Sequence, residues 1–277
     1  MRRLIACALL VLLSLQSFAT DVSVPGIREI RLQGDLSTAL AHANAGLSLT
    51  EGRNLLELHL ELARIHDRIG LHNNTRPVAA ALLHIEQAAA LAPELDDRAQ
   101  ADVDLAFAEY FYRAEMSERK FSSATQHAEK ALAAFEILKN FHGQADAVHR
   151  LGLIHLQQRK LDAAYELFEE SLRLDRIAGE RPLLRADYER HVGFVYALRE
   201  DYETALPYFE RSLQFRLGAG FFDPAMFAAI SVGSALIELD RGDEARPYLE
   251  YALQLAENLD SEAGRTRAET NLTQISE

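Results

Sequence analysis

One pattern of small and large side chains recurs four times along the chain at nearly constant intervals. Each copy has four positions separated by steps of 12, 4 and 3 residues, and successive copies lie 40, 41 and 40 residues apart. In chain order the copies are Tyr112, Ala124, Ala128 and Ala131; Gly152, Ala164, Phe168 and Ser171; Gly193, Ala205, Phe209 and Ser212; and Gly233, Ala245, Leu249 and Ala252. A period of this length is typical of helical repeats that bury their apolar faces against their neighbours.

The positions within each copy predict a hairpin of two helices. The clearest copy divides into helical stretches at 145–158 and 162–177, joined by a short polar link. A glycine inside a helix costs about 1 kcal/mol, so three glycines in the same slot indicate a close approach of the partner helix. The alanine provides a second small surface, and the large residue one turn later fills the space beyond the crossing. Pro207 and Pro247 are expected to mark the start of two second helices.

This arrangement resembles the tetratricopeptide repeat, whose first helix carries Leu-Gly and then Tyr, and whose second carries Ala, an aromatic residue and Ala. The Leu-Gly pair stands here as Leu151-Gly152, Val192-Gly193 and Val232-Gly233, and Tyr196 fills one tyrosine slot. The period of 40 to 41 residues exceeds the common one of about 34 residues. In this respect the chain is similar to the long-period repeats of kinesin light chains and of bacterial sensor modules. The resemblance implies an all-α, right-handed superhelical solenoid of antiparallel hairpins, with about five repeats and a terminal helix.

Weaker signals extend the array in both directions. Residues 51–277 are predicted to form the array, and residues 20–50 a degenerate helical unit before it. A loop at Gly70–Arg76 separates the helices of the first full repeat, and it is either structural slack or a binding edge. The last predicted helix, 262–276, either caps the final apolar face or belongs to a longer architecture.

Residues 1–19 have the features of a secretory signal peptide. Two arginines precede an apolar run from Leu4 to Leu15, and a small-x-small exit ends at Ala19. This run is shorter than the ~20 residues that cross a bilayer, so a membrane anchor is the weaker alternative. We predict cleavage after Ala19, a periplasmic or secreted product, and no membrane span in the mature chain. The single cysteine, Cys7, lies in this leader, which leaves no disulfide or cysteine metal site.

Composition and motifs argue against several functions. The chain has 29 basic and 42 acidic side chains, a net charge of −13, so it would repel nucleic acid. It has no phosphate-binding loop, nucleophile elbow, zinc protease motif or dinucleotide fingerprint, so we predict no enzymatic activity and no cofactor. His59, His66 and His72 lack partners at metal-ligand spacing, and the acidic stretch 94–104 lacks the pattern of a calcium loop.

The first helix of each hairpin is expected to line the concave surface and so to form a groove. The side chains one turn before and after the small residue are Glu109, Tyr110, Arg113, His149, Arg150, Arg190, His191, Phe194, Phe227, Ile230 and Ser234. Aromatic residues beside cations are enriched where binding energy concentrates in interfaces. The sequence therefore predicts that a protein or peptide partner binds there, and packing between repeats is the alternative for the same side chains.

These inferences lead to two hypotheses about function. The first is an exported, non-enzymatic scaffold that binds a protein or peptide in the bacterial cell envelope. The second follows from the resemblance to periplasmic input modules of bacterial diguanylate cyclases and histidine kinases. It makes the chain a sensor whose membrane helix and catalytic domain lie outside this sequence.

Overall fold

The computed structural model describes residues 23–75 and 79–276, and the regular structure of these ranges is entirely helical. The helices are α1 (Val24–Gln33), α2 (Leu36–Gly46), α3 (Gly52–His72), α4 (Ala79–Leu91), α5 (Asp97–Ala114), α6 (Ser122–Ile137), α7 (Phe141–Gln157), α8 (Leu161–Ala178), α9 (Pro182–Ala197), α10 (Tyr202–Gly218), α11 (Phe222–Glu238), α12 (Gly242–Asn258) and α13 (Glu262–Ser276). The expected all-α helical-repeat fold is confirmed. The predicted signal peptide and its cleavage site lie outside the described residues.

Consecutive helices pair as hairpins. The pairs α3/α4, α5/α6, α7/α8, α9/α10 and α11/α12 pack closely along their lengths, and a shorter pair, α1/α2, precedes them. The last helix, α13, packs against both α11 and α12. The second helix of each hairpin also contacts the first helix of the next one, and the larger clusters of buried apolar residues span neighbouring hairpins.

The glycines of the repeated pattern receive large side chains from the partner helix. A Cβ atom at Gly193 would stand 2.7 Å from Cε1 of Phe209, and one at Gly152 would stand equally close to Cε1 of Phe168. Leu249 packs against Gly233 in the same way. The sequence predicts the large residue beyond the crossing, but the structure places it directly against the glycine. The absent side chain therefore makes room for a ring or an isobutyl group.

Serine at the fourth position of the pattern ties the two helices of a hairpin together. The hydroxyl of Ser171 donates to the carbonyl oxygen of Ala145 at 2.8 Å, and that of Ser212 donates to the carbonyl oxygen of Ala186 at the same distance. Both serines are buried. Because a buried hydroxyl without a partner is costly, this equivalent bond fixes the relative position of the paired helices in both repeats.

The turns inside the hairpins share one backbone geometry. Arg159, Glu200 and Asp240 adopt left-handed conformations with φ of 61°, 62° and 57°. The following amide in each turn donates to a carbonyl oxygen five residues back, which is the pattern of a Schellman helix end. These bonds run from Lys160 to His155, from Asp201 to Tyr196 and from Arg241 to Leu236.

Two local expectations were wrong. Helix α10 begins at Tyr202 and α12 at Gly242, so Pro207 and Pro247 lie inside these helices rather than at their starts. The left-handed turns set the helix starts instead. The expected loop Gly70–Arg76 begins later than predicted, because α3 continues through His72. The apolar contacts of Leu71 with the C-terminal core account for this extension.

The superhelix brings its first and last hairpins together, a feature that the sequence did not predict. Helix α1 contacts α11, and α3 contacts α13. Leu71 belongs to the same buried cluster as α11 and α12, and the side chain of Leu259 lies against Gly34. The array therefore closes on itself, with α1 and α3 at its start lying against α11 and α13 at its end.

Candidate binding site on the inner surface

Ion pairs between separate hairpins identify the inner surface. Arg64 and Asp67 of α3 face Glu109 and Arg113 of α5, with a distance of 2.9 Å between Asp67 and Arg113. Arg150 of α7 also reaches Glu109. We call the face of α3, α5, α7, α9 and α11 that carries these residues the inner surface. Three predicted groove residues, Glu109, Arg113 and Arg150, take part in these pairs, together with charged residues that the sequence did not single out.

Glu109 lies at the centre of one cluster of arginines on this surface. Arg150 approaches its carboxylate to 3.3 Å, and Arg113 and Arg64 approach to 3.8 and 3.9 Å. Burial raises the pKa of Glu109, but attraction to Arg150, Arg64 and Arg113 outweighs it and lowers the pKa to about 2. Glu109 is therefore a structural counter-ion. The neighbouring Tyr110 packs edge-on against Phe111, with ring centroids 5.5 Å apart.

Two predicted groove histidines contact each other, His149 buried and His191 half-buried. Nε2 of His149 lies 2.9 Å from Nδ1 of His191, and the His149 ring is 5.1 Å from that of Phe168. Burial lowers the pKa of His149 to about 4 against the attraction of Asp187, and burial and His149 hold the pKa of His191 well below its usual range. Both rings are therefore neutral at pH 7, and one nitrogen of the contact donates to the other.

The two predicted groove arginines differ in their partners. Arg150 pairs with Glu109 and lies 5.5 Å from the ring centroid of Tyr112. Arg190 lies over the ring of Phe194 at 4.7 Å, and within the described ranges it forms no ion pair and its Nε has no hydrogen-bond partner. Burial lowers the pKa of Arg190 to about 9, and repulsion by Arg216 adds to this effect. The guanidinium still remains charged at neutral pH.

The predicted positions on α11 are engaged by neighbouring helices. Phe227 and Ile230 are only 7% and 8% exposed. The guanidinium groups of Arg68 and Arg267 lie 5.6 and 5.5 Å from the ring centroid of Phe227. Ser234 accepts a hydrogen bond of 2.7 Å from Nδ2 of Asn271 in α13. These three side chains therefore join α11 to α3 and α13.

Sequence reasoning missed the charged residues that meet where the superhelix closes. Arg68 and His72 of α3 both bond to Asp223 of α11, and Arg216 of α10 bonds to Asp187 of α9. Burial raises the pKa of Asp223, but Arg68 and His72 outweigh it and hold the pKa below its usual range. Nothing local in the sequence pairs Arg68 with Asp223, 155 positions away, because their meeting depends on the pitch of the whole superhelix.

The three histidines considered for metal binding contact other side chains. Nδ1 of His59 lies 3.1 Å from Nδ1 of His84, His66 stacks on His84 at 5.4 Å, and His72 bonds to Asp223 instead. In residues 23–75 and 79–276 no group of three metal-binding side chains could hold an ion. In the acidic stretch, Asp96 caps α5 by accepting from the amide of Ala99.

None of the helices in the described part of the chain is long and apolar enough to cross a bilayer.

Comparison with known proteins supports the repeat architecture. A sequence profile of the tetratricopeptide repeat family matches residues 143–217, which contain two copies of the pattern. No curated protein matches the sequence significantly. Among solved structures, a Rap protein complexed with competence and sporulation factor aligns with a TM-score of 0.68 and 15% identity, over 95% of this chain and 77% of the Rap chain.

Two further structures have the same fold. NprR in complex with its cognate peptide NprX aligns with a TM-score of 0.59 and 14% identity, over 91% of this chain and 69% of NprR. A signal transduction ATPase with a tetratricopeptide repeat sensor, from Pyrococcus horikoshii, aligns at 0.61 and 16% identity, over 88% of this chain and 36% of that protein. The profile match shows tetratricopeptide repeats at residues 143–217, and the repeated glycine contacts and the helical superhelix agree with this repeat architecture.

Proposed function

We propose that this protein is a non-enzymatic scaffold that binds a peptide or a segment of a protein partner on its inner surface. The observation that carries the proposal is the contact between Arg190 and Phe194, a stacked cation with no carboxylate partner among the described residues. Cations beside aromatic rings are favoured where interfaces concentrate their affinity. The likeness in fold to a Rap protein solved with competence and sporulation factor, and to NprR solved with its cognate peptide NprX, supports a binding function for this fold.

Site-specific crosslinking tests this function in the cell. A photo-reactive phenylalanine analogue at Phe194 should give a discrete crosslinked product in intact cells, because this ring is half-buried on the inner surface. The matched control places the analogue at Leu83, which is 53% exposed. Equal products from both positions, or none from Phe194, would contradict binding at the inner surface.

We further propose that the scaffold works outside the cytoplasm, in the cell envelope. The support is the leader sequence, in which two arginines, an apolar run and a small-x-small exit precede Ala19. Expression of the full chain in a Gram-negative host should yield a periplasmic product whose N-terminal residue is Thr20. A product that stays cytoplasmic and retains Met1 would rule out export.

A second candidate function is a sensor module that passes a binding event to a signalling partner. The likeness to the tetratricopeptide repeat sensor of the Pyrococcus horikoshii ATPase favours it. A genomic reading frame that continues into a membrane helix and a catalytic domain would support the sensor, whereas a stop codon after Glu277 would support the free scaffold.

A further inference from the structure

Four arginines from four helices surround one part of the inner surface. Arg68 and Arg267 lie over the ring of Phe227, and the charges of Arg216, Arg267 and Arg68 all act on Arg190. We call Arg68, Arg190, Arg216 and Arg267 the arginine cluster. Arg68 joins it only because closure of the superhelix brings α3 to α11 and α13.

Carboxylates neutralise only half of this cluster. Asp223 pairs with Arg68, and Asp187 pairs with Arg216. Neither Arg190 nor Arg267 forms an ion pair with any described residue; their recorded partners are the rings of Phe194 and Phe227. Asp187 also attracts Arg190, but it is already paired with Arg216, so four arginines share two carboxylates in a chain whose net charge is −13. Because a partly buried cation without an ion pair is costly, the retention of Arg190 favours a negatively charged ligand, and the exposed Arg267 adds a second positive charge beside it.

The arrangement of Arg190 suits a carboxylate. The guanidinium contacts the ring of Phe194 through Cζ at 4.7 Å, and its N–H groups form no ion pair with a described carboxylate. Its Nε is buried and has no hydrogen-bond partner in the described structure. A carboxylate can accept two parallel hydrogen bonds from such a group. Arg267 is exposed on α13, so it can make a first contact with a ligand that approaches from solvent.

We propose that Arg190 and Arg267 bind acidic side chains of a peptide segment that lies on the inner surface. The half-buried ring of Phe194 offers the same segment an apolar contact that a free inorganic anion cannot use. This inference rests on the proposed peptide-binding function and adds the charge of the partner. Because the Nε of Arg190 is buried, a charge-assisted hydrogen bond from Arg190 is stronger than one in water.

Selection from a library of random displayed dodecapeptides tests the inference. Peptides selected on the wild-type protein should be enriched in Asp and Glu, and the enrichment should be lost on the double variant Arg190→Gln, Arg267→Gln. A synthetic copy of the best peptide should bind the double variant at least about tenfold more weakly, a loss of ~1.4 kcal/mol. It should also bind the wild type more weakly as salt increases. The control Arg173→Gln, which removes an exposed arginine that pairs with Glu170 on α8, should bind like the wild type.

Each alternative outcome is distinguishable. Selected peptides without acidic bias, or equal affinity of a folded double variant, would overturn the acidic partner and leave the proposed scaffold function standing. Failure to select any peptide would overturn both. If inorganic phosphate raised the melting temperature of the wild type but not of the double variant, and no acidic peptide bound, the site would be an anion site and not a peptide site. Circular dichroism of both variants verifies that they fold.

Discussion

Arg68 and Asp223 join the two ends of the superhelix across 155 positions of sequence, with 2.8 Å between Nε of the arginine and Oδ2 of the aspartate. The second guanidinium nitrogen bonds to the other carboxylate oxygen, and Nε2 of His72 lies 2.9 Å from Asp223. A bidentate pair of this kind is directional as well as strong. It therefore fixes how α3 and α11 meet, and with them the geometry of the inner surface.

Removing the acidic partner should both destabilise and open the array. Asp223→Ala leaves Arg68, which is 18% exposed, without a counter-ion, and we expect a loss of about 3–5 kcal/mol in the free energy of unfolding by urea. Small-angle scattering at low urea should show a larger radius of gyration. Arg173→Ala, which removes an exposed pair, should change stability by less than ~0.5 kcal/mol. An unchanged radius and midpoint in Asp223→Ala would show that closure does not depend on this pair.

The repeat anchors and the closure differ in how far the sequence determines them. The contacts of Gly193 with Phe209 depend on residues 16 positions apart within one hairpin, so a fixed period was enough to predict a crossing there. The pairing of Arg68 with Asp223 depends on small rotations between hairpins that accumulate over the superhelix. The candidate site shows both cases, because Arg190 follows from the period, whereas Arg68 reaches the same cluster only through closure.

Adding a side chain at a crossing glycine should destabilise the hairpin. Gly193→Ala places a Cβ 2.7 Å from Phe209 Cε1, so we expect a cost of about 1–3 kcal/mol from overpacking, measured by thermal and urea unfolding. At Gly218, in the last turn of α10, a Cβ would meet nothing within 4 Å. Gly218→Ala should therefore be neutral or stabilising. If both changes altered the unfolding stability equally, the close contact with Phe209 would not explain the glycine at position 193.

The left-handed turn residues offer a stabilising change. Glu200 adopts φ of 62°, a conformation that costs a residue with a Cβ about 1 kcal/mol and costs glycine little. Glu200→Gly should therefore raise the free energy of unfolding by up to ~1 kcal/mol. Glu250→Gly, at an exposed position inside α12, should lower it by about 1 kcal/mol. A loss of stability in both variants would argue against strain at the turn.

Stability should fall as the pH is lowered from 6.5. The pKa of His149 drops from 6.5 to about 4 in the folded protein, so the unfolded chain binds the proton first as the pH falls through this window. The contribution of the neutral His149 ring to the free energy of unfolding is complete above pH 6.5 and is lost towards pH 4. At ~1.4 kcal/mol per pKa unit, this loss amounts to roughly 3 kcal/mol. The lowered pKa of Glu109 has the same effect on stability between pH 4.5 and 2, because there too the unfolded chain binds the proton first.

Histidine variants separate this effect from general acid sensitivity. The double variant His149→Gln, His191→Gln should show a flatter dependence of unfolding free energy on pH between 6.5 and 4. His142→Gln alters a histidine whose side chain is 41% exposed, and it should keep the wild-type slope. If the double variant retains that slope, His149 and His191 do not cause the loss of stability at low pH.

Arg190 should limit stability even though we assign it to binding. Its guanidinium is half-buried, repelled by Arg216 and without an ion pair in the described chain, so Arg190→Met should raise the free energy of unfolding by about 1–2 kcal/mol. Arg150→Met removes an arginine that pairs with Glu109 at 3.3 Å, and it should lower stability because that carboxylate loses an attractive partner. Urea unfolding of the two variants at pH 7 measures both effects. If Arg190 is kept for binding at the expense of stability, the two variants change the free energy of unfolding in opposite directions. If Arg190 is purely structural, both variants lower it.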